Sequence, residues 1–141
     1  MEIGLHAAIN RLYHAQKNII RPKMALCGLS PGQPKMLRYL AAQGSCIQRE
    51  LAESCDIEPA TVSRLLDTME KQGLVKRVPA GDRRMIEVSI TDKGLFAHNS
   101  WAKASGDIDA QLVSDLSDED KRKIGEYIEL MYKNLTGKNI E

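Results

Sequence analysis

The pattern that most constrains this chain lies in residues 48–94, where two short helical segments are followed by two strand-like segments. Apolar residues recur at helical spacing in the first pair and at about every second position in the second pair. Asp56 stands at the sharp reversal between the helical segments, and the turn-forming residues 79–82 separate the strands. These features predict a helix, a turn, a second helix and a basic β-hairpin, in that order.

The boundaries of these elements follow from their turn and capping residues. Pro59 suits the first position of a helix, which leaves Glu58 at the N-cap, and Gly73 ends that helix. The expected bounds are 48–55 and 59–72 for the helices, and 74–78 and 85–91 for the strands.

Amphipathic helices are predicted on both sides of this segment. The first runs from residue 3 to residue 21, and Pro22 should end or kink it. The second covers about residues 31–43, with Ser30 as N-cap and Gln33 reaching back as in a capping box. These stripes predict a mainly α (α+β) fold class.

Two more helices follow the hairpin. Thr91 caps a long helix that continues to Leu112, and Ser117 caps a last helix whose apolar residues extend from Ile124 to Leu135. The stripes of the first and last helices are typical of surfaces that pack against another chain, although core packing produces the same pattern.

The composition bounds the class of protein. A chain of 141 residues has single-domain size, and its hydrophobic fraction of 43% is ordinary for a globular domain. The sequence has no signal-peptide pattern and no stretch near the ~20 apolar residues that span a bilayer. The sequence shows no catalytic nucleophile paired with a general base, and no phosphate-binding loop. We therefore expect a cytoplasmic protein that is not an enzyme and needs no cofactor.

The three cysteines give no CxxC pair, so neither a disulfide framework nor a zinc site is predicted. The three histidines are scattered, and no metal is expected. Cys46 and Cys55 fall beside or within apolar helix faces, where small buried hydrophobic side chains are the usual interpretation. Cys27 precedes Gly28 in a predicted loop, with Lys23 upstream, so it is the candidate for a redox-sensing thiol.

The second helix of the pair and the hairpin carry residue types that suit DNA. A helix fits the major groove, and its N-terminal side chains reach the base edges. Hydroxyls and an arginine stand there, while an arginine at a hairpin tip can enter the minor groove. Lys76, Arg77, Arg83 and Arg84 supply four cations to the hairpin. The candidate DNA-binding residues are Thr61, Ser63, Arg64, Lys71, Lys76, Asp82, Arg83 and Arg84.

The run ELAESCDIEPATVSRLLDTMEKQGLVKRVPAGDRRMIEVSITDKG resembles the winged helix-turn-helix core of the MarR family of bacterial transcriptional regulators. LCGLSPGQPKMLRYL resembles the family's second helix with its lead-in, and LSDEDKRKIGEYIELMYKNL its C-terminal dimerisation helix. The most specific part is the DRR of the wing followed by a strand and TDKG. On this resemblance Asp82 and Arg84 match the wing motif, and Asp82 could hold the Arg84 guanidinium extended or serve the turn alone.

Three departures from the family pattern are visible: Glu58 at the N-cap, a wing about one residue shorter, and a first helix that begins almost at Met1. The resemblance implies one MarR-like domain, residues 1–141. Dimerisation helices would occupy about 1–30 and 95–141, and a DNA-binding lobe about 31–94. A homodimer would repress a pseudo-palindromic operator with half-sites roughly 10 bp apart.

Regulators of this kind often respond to a small phenolic or otherwise amphipathic effector. The candidate pocket residues are Tyr13, Met36, Tyr39, His98 and Trp101. Two alternatives stay open, namely a redox regulator using Cys27 and a winged-helix module that contacts proteins without binding DNA. Residues 48–93 hold eight Lys and Arg against nine Asp and Glu, which favours the protein-contact module, whereas the basic wing favours DNA.

Overall fold

The computed structural model describes residues 2–140, except for the side chain of Arg83. The helices in this part of the chain are α1 (Leu5–Leu26), α2 (Gln33–Gln43), α3 (Gln48–Ser54), α4 (Pro59–Lys71), α5 (Asp92–Leu112) and α6 (Asp118–Thr136). The strands are β1 (Cys46–Ile47), β2 (Val75–Ala80) and β3 (Asp82–Ile90). This mainly helical architecture with a small antiparallel sheet confirms the predicted fold class.

The chain divides into two compact units, Met1–Gly106 and Asp107–Glu141, and α5 contributes residues to both. None of the helices in residues 2–140 combines the length and apolar character that a bilayer crossing requires.

The first unit is built around one apolar core, which α2, α3, α4 and the sheet supply. In α4 the buried side chains are Val62, Leu66 and Met69, whose spacing places them on one helix face. The core as a whole contains Leu29, Met36, Leu37, Leu40, Cys46, Leu51, Ala52, Cys55, Val62, Leu66, Met69, Leu74, Val75, Val88 and Ala97. The opposite face of α4 is thereby left for solvent.

The sheet has the order β1-β3-β2, and both pairings are antiparallel. The hairpin is longer than the sequence predicted, because Pro79, Ala80 and Asp82 belong to strands and Gly81 alone makes the turn with φ 65°. A bulge between Pro79 and Ala80 permits this tight reversal. Pro79 is tolerated because β2 is an edge strand, where the missing N–H breaks no ladder.

The prediction that the first helix ends or kinks at Pro22 is wrong about the ending, because α1 continues to Leu26. A proline inside a helix removes one backbone hydrogen bond, but the residues after it can still bond normally. Met24 packs against the core, and the amides of Cys27 and Leu29 bond to carbonyls of the last turn. The extension is held by these contacts.

The start of α2 differs from its prediction. Gly32, with φ 90°, occupies the N-cap, and α2 begins at Gln33 rather than near residue 31. Gln33 does reach back, since its Oε1 accepts a hydrogen bond from the backbone amide of Ser30 at 3.1 Å. Its Nε2 donates to Oε1 of Gln72 at 3.0 Å, so both ends of this fully buried side chain are satisfied.

The turn between α3 and α4 agrees with the sequence. Asp56 adopts φ 52°, the left-handed geometry that Asp tolerates better than most residues. Pro59 opens α4 behind Glu58, whose side chain makes no capping hydrogen bond.

The TDKG segment fixes the start of α5 against the end of α4. Thr91 Oγ1 donates to the carbonyl of Gly73 at 2.5 Å and accepts from the amide of Gly94 at 3.0 Å. Lys93 Nζ donates to the carbonyl of Gln72 at 2.7 Å. A Cβ at Gly94 would collide with the backbone oxygen of Leu74, so only glycine fits there.

The second unit contains α6. Ser117 Oγ caps it by accepting from the amide of Asp120 at 3.1 Å, as the sequence predicted. No residue of α6 is buried, and its exposed apolar side chains are Ile124, Tyr127, Ile128, Leu130 and Leu135.

Candidate nucleic-acid interface

The outer face of α4 carries the first group of candidate residues. Arg64 is exposed, and Thr61 and Ser63 are half-buried at the N-terminal end of the helix. Arg64 Nη2 donates to Thr61 Oγ1 at 3.3 Å, which folds the guanidinium back towards the helix start. Lys71 is exposed in the last turn. Apart from Arg64, the first turns of α4 hold small side chains, so a flat surface could approach closely.

The tip of the wing carries the second group. Arg84 is exposed, and its backbone amide donates to Oδ1 of Asp82 at 3.2 Å. This bond across two residues is typical of an aspartate that stabilises a turn, and it agrees with the turn-forming role weighed for Asp82. The side chain of Arg83 lies outside the described part of the structure. Lys76 is exposed on β2.

The base of the wing differs from its tip. Arg77, which the sequence grouped with the other wing cations, is half-buried and donates hydrogen bonds to Asp67 and Glu70 of α4. Burial lowers the pKa of Arg77, but these hydrogen bonds outweigh that effect and raise it, so the guanidinium stays charged. Among the wing cations whose side chains are described, Lys76 at the base and Arg84 near the tip stay exposed, whereas Arg77 is held by α4.

A cleft of about 500 Å³ opens between the wing and the helix-turn-helix. Its lining residues are Ile47, Gln48, Arg49, Ala52, Pro59, Asp82, Arg84, Met85 and Ile86. Arg49 and Arg84 thus face the same cleft from α3 and β3. Arg49 was missed from the sequence, although its place as the second residue of the first helix of the pair was a usable signal. Among the described residues, none bonds to the buried Oε1 of Gln48.

A second cleft, of about 370 Å³, lies between α2 and α5. It is lined by Pro34, Lys35, Arg38, His98, Trp101, Ala102 and Ser105. The structure therefore brings together two of the predicted pocket residues, His98 and Trp101. Met36 is a correction, because its side chain lies in the core with no exposed surface.

The two remaining pocket candidates also fall outside this cleft. Tyr39 packs against the core, and Tyr13 is exposed on α1. The cationic rim formed by Lys35 and Arg38 was missed, although their spacing of three residues places them on one helix face.

Cys46 and Cys55 are poorly placed for redox chemistry. Burial is the main cause that raises the pKa of Cys46 to about 11, and the carboxylate of Glu50 adds to it. Burial also raises the pKa of Cys55. Both thiols therefore stay protonated near neutral pH and react slowly. Cys27 is half-buried, packed against the core at the end of α1.

Two helices joined by a tight turn and followed by a charged hairpin define a winged helix-turn-helix, the architecture found in many transcriptional regulators. The model of the MarR family matches residues 28–85, which include both helices and most of the wing. Over these residues the chain is similar to the MarR family. The relatives and solved structures described below are transcriptional regulators and not enzymes, which confirms the prediction that this protein is not an enzyme.

Characterised relatives agree with this assignment. The chain is 31% identical over 94 residues to the HTH-type transcriptional repressor MdtR of Bacillus subtilis, covering 66% of this chain and 61% of that protein. It is 27% identical over 136 residues to the homoprotocatechuate degradative operon repressor of Escherichia coli, covering 92% of this chain and 91% of the relative. The alignment with MdtR thus spans about three fifths of that repressor.

Solved structures share the fold. A MarR transcriptional regulator from Methanosarcina mazei is 27% identical, with TM-score 0.82 over 92% of this chain and 94% of that one. The Staphylococcus aureus MepR–DNA complex gives TM-score 0.84 over 94% of this chain and 98% of that one, at 22% identity. The second likeness concerns the fold alone.

Proposed function

We propose that this regulator is a homodimeric repressor that binds a pseudo-palindromic operator and releases it when a small-molecule effector binds. The observation that carries the DNA-binding proposal is the placement of exposed cations. Arg64 and Lys71 stand on the outer face of α4, and Arg84 stands at the wing tip. This placement, on a helix face and on a hairpin, suits a helix in the major groove and a wing arginine in the adjacent minor groove.

The proposal rests on where the charges stand, since the whole chain has a net charge of only +1. The anionic side chains of α4 nearest the wing, Asp67 and Glu70, are engaged by Arg77. Arg49 adds a cation to the cleft that Arg84 also lines. Phosphate contacts by such residues position a protein on the duplex, and base contacts by Thr61, Ser63 and Arg64 would select the sequence.

A second copy of the chain is the proposed partner of the terminal helices. No residue of α1 is buried, and its apolar stripe is exposed at Leu5, Ile9, Leu12 and Ile19. Exposed stripes of this length commonly mark an interface. A two-fold axis would place two copies of α4 in successive major grooves, roughly 10 bp apart. The relatives that are named repressors support the repressor part of the proposal, and the MepR complex with DNA supports its DNA-binding part.

The cleft between α2 and α5 is the proposed effector site. Trp101 and His98 give it aromatic walls, and Lys35 and Arg38 bring positive charge to its rim. This combination suits a small phenolic compound that carries an anionic group. The homoprotocatechuate operon named for the Escherichia coli relative concerns a phenolic acid, which supports that class.

Both walls of this cleft are hydrogen-bonded to the end of α4. Gln33, at the start of α2, donates to the side chain of Gln72, and Lys93 of α5 donates to the carbonyl of the same residue. A ligand that changes the spacing of α2 and α5 would therefore act on the helix proposed to read DNA. This connection supports relief by an effector as the mechanism.

Selection of bound duplexes from a random pool tests the DNA-binding proposal. We expect enrichment of a pseudo-palindrome, and a steep fall of log affinity with log salt concentration, because each phosphate contact contributes about −0.9 to that slope. A pool without enrichment, or an affinity that does not respond to salt, would instead favour a module that contacts proteins.

The effector proposal has an independent optical test, since Trp101 is the single tryptophan of the chain. A phenolic carboxylate such as 4-hydroxybenzoate should change its fluorescence and lower operator affinity at the same concentrations. Lys35→Ala should weaken both effects, whereas Lys103→Ala, an exposed lysine of α5 that does not line the cleft, should not. If phenolic carboxylates release DNA without changing the fluorescence, the site lies elsewhere.

A further inference from the structure

Arg77 connects the base of the wing to the outer face of α4. Its Nη2 lies 2.5 Å from Oδ1 of Asp67 and 3.4 Å from Oε1 of Glu70. Its backbone amide also donates to Oε2 of Glu70 at 3.2 Å. Two carboxylates of one helix therefore hold the side chain and the main chain of one strand residue. We call this group the Arg77 clamp.

The exposures of the three side chains separate the clamp from an ordinary surface ion pair. Arg77 is 16% exposed, whereas Asp67 and Glu70 are 55% and 44% exposed. An exposed pair contributes little because water competes for both charges and the side chains must be ordered. In the clamp the guanidinium is largely covered and its Nη2 bonds to both carboxylates, so turning it towards a phosphate would break its bonds to Asp67 and Glu70.

The position of the clamp matters because α4 and the wing tip would have to reach different grooves of one duplex. Asp67 and Glu70 follow Arg64 on α4 by three and six residues, while Arg77 precedes Arg84 by seven residues of the hairpin. Along the chain the clamp residues therefore lie between the two cations proposed to bind DNA. The clamp joins α4, which carries Arg64, to the wing, which carries Arg84. It can therefore set the orientation of the wing relative to α4.

We propose that Arg77 is a positioning residue, which holds the wing at a fixed orientation to α4 so that Arg64 and Arg84 engage the same duplex. This positioning role rests on the proposed DNA binding. On this proposal Arg77 makes no contact with DNA, and it also neutralises carboxylates that would otherwise repel the phosphates. The two roles have the same cause, because both follow from its pairing with Asp67 and Glu70.

The test measures how much Arg84 contributes to operator affinity when the clamp is intact and when it is broken. In the wild-type background Arg84→Ala should cost ~10-fold or more, the range of one specific arginine contact. In an Arg77→Met background the same substitution should cost less than ~3-fold, because a wing without its anchor no longer presents Arg84 reliably. Asp67→Ala with Glu70→Ala should lower the cost of Arg84→Ala in the same way.

Lys76→Ala is the matched control, because Lys76 precedes Arg77 on β2 and is exposed. In that background the full cost of Arg84→Ala should remain. If Arg77 itself binds a phosphate, Arg77→Met will weaken binding but leave the cost of Arg84→Ala unchanged, and the Asp67/Glu70 double variant will bind as tightly as wild type or more tightly. Either result would overturn the proposal. The proposal would also fail if Arg77→Met lowered the stability of the protein without changing the cost of Arg84→Ala.

Hydrogen exchange on the DNA-free protein separates this proposal from the proposed function. Arg77→Met should accelerate amide exchange in β2 and β3 and leave the exchange of α6 as in wild type. Unchanged exchange in the wing would contradict the clamp whether or not an operator is found. Faster exchange in the wing of a protein that selects no DNA would support the clamp and reject the DNA-binding proposal.

Discussion

The core of the first unit and the two terminal helices differ in how far their apolar side chains are buried. In α4 the apolar face is buried against the sheet and the neighbouring helices, so that Leu66 has no exposed surface. In α1 and α6 no residue is buried, and about half of the surface of Leu12 and of Ile128 is exposed. All three helices are amphipathic, and they differ in what covers the apolar side.

This difference shows where the stability of each region must originate. The core around α4 buries its own apolar surface, which is the dominant favourable contribution to folding. A terminal helix that leaves its stripe in water gains little from propensity alone, because isolated helices are marginal. We therefore expect the lobe to fold on its own contacts and the terminal helices to gain their stability from assembly.

The largest effect is expected from opening the core. Leu66→Ala should lower the free energy of unfolding by about 2–5 kcal/mol, because it removes a fully buried side chain and leaves a cavity. Denaturant titration measures this loss. Leu26→Ala, at a leucine that is 88% exposed, is the control and should change the free energy by less than ~0.5 kcal/mol. Similar losses at both positions would contradict the contrast between the two regions.

A smaller effect, confined to assembly, is expected from charging the stripe of α1. Ile9→Glu with Leu12→Glu should raise the dimer dissociation constant ~100-fold, about 2.7 kcal/mol, while the circular dichroism of the lobe persists. Sedimentation velocity over a range of concentrations gives the measurement. Ala7→Glu places a charge on the opposite face of the same helix and should leave the dimer intact. A stripe variant that remains dimeric would show that α1 has another partner.

The buried glutamine should give the next smaller effect. Gln33→Ala removes both hydrogen bonds of a fully buried side chain, so the amide of Ser30 and Oε1 of Gln72 lose their partners. We expect a loss of about 1–3 kcal/mol in the free energy of unfolding. Ser30→Ala keeps both of these bonds, since Ser30 uses its backbone amide, and it should be close to neutral. A neutral Gln33→Ala would mean that these bonds contribute nothing net.

The cysteines should show the smallest effect on function. Cys27→Ser should change operator affinity less than ~2-fold, before and after treatment with hydrogen peroxide. The pKa of Cys46 is raised to about 11, so its thiolate is scarce below pH 9, and labelling by iodoacetamide should become appreciable only as the pH rises towards that value. Mass spectrometry of the labelled peptides would locate the reactive thiols. Peroxide-dependent loss of DNA binding that Cys27→Ser abolishes would establish the redox alternative.

The sequence predicted those elements whose signals are local. The left-handed Asp56, the proline at the start of α4 and the caps at Thr91 and Ser117 all act within a few residues of the sequence. Helical and alternating periodicities identified the long elements for the same reason. Strand β1 was not predicted, because two residues show no periodicity and its pairing partner, Val88, lies 42 positions after Cys46.

The interface was predicted less completely, because the roles of charged residues depend on non-local contacts. Arg77 and Arg84 looked equivalent as hairpin cations, yet the hydrogen bonds to Asp67 and Glu70 separate them. The same limit explains why the pocket residues were predicted incompletely. A periodicity assigns Met36 to an apolar face, but only the packed structure shows that this face belongs to the core while Lys35 and Arg38 face the cleft.

We propose that the placement of cations, and not bulk charge, gives this protein its affinity for DNA. The most direct measurement compares the operator affinities of Arg84→Ala and Arg122→Ala, which change the net charge equally. Arg122 lies on α6 and pairs with Glu126 at 2.6 Å. We predict that Arg84→Ala weakens binding ~10-fold or more and that Arg122→Ala changes it less than ~2-fold. Equal losses in the two variants would contradict the claim.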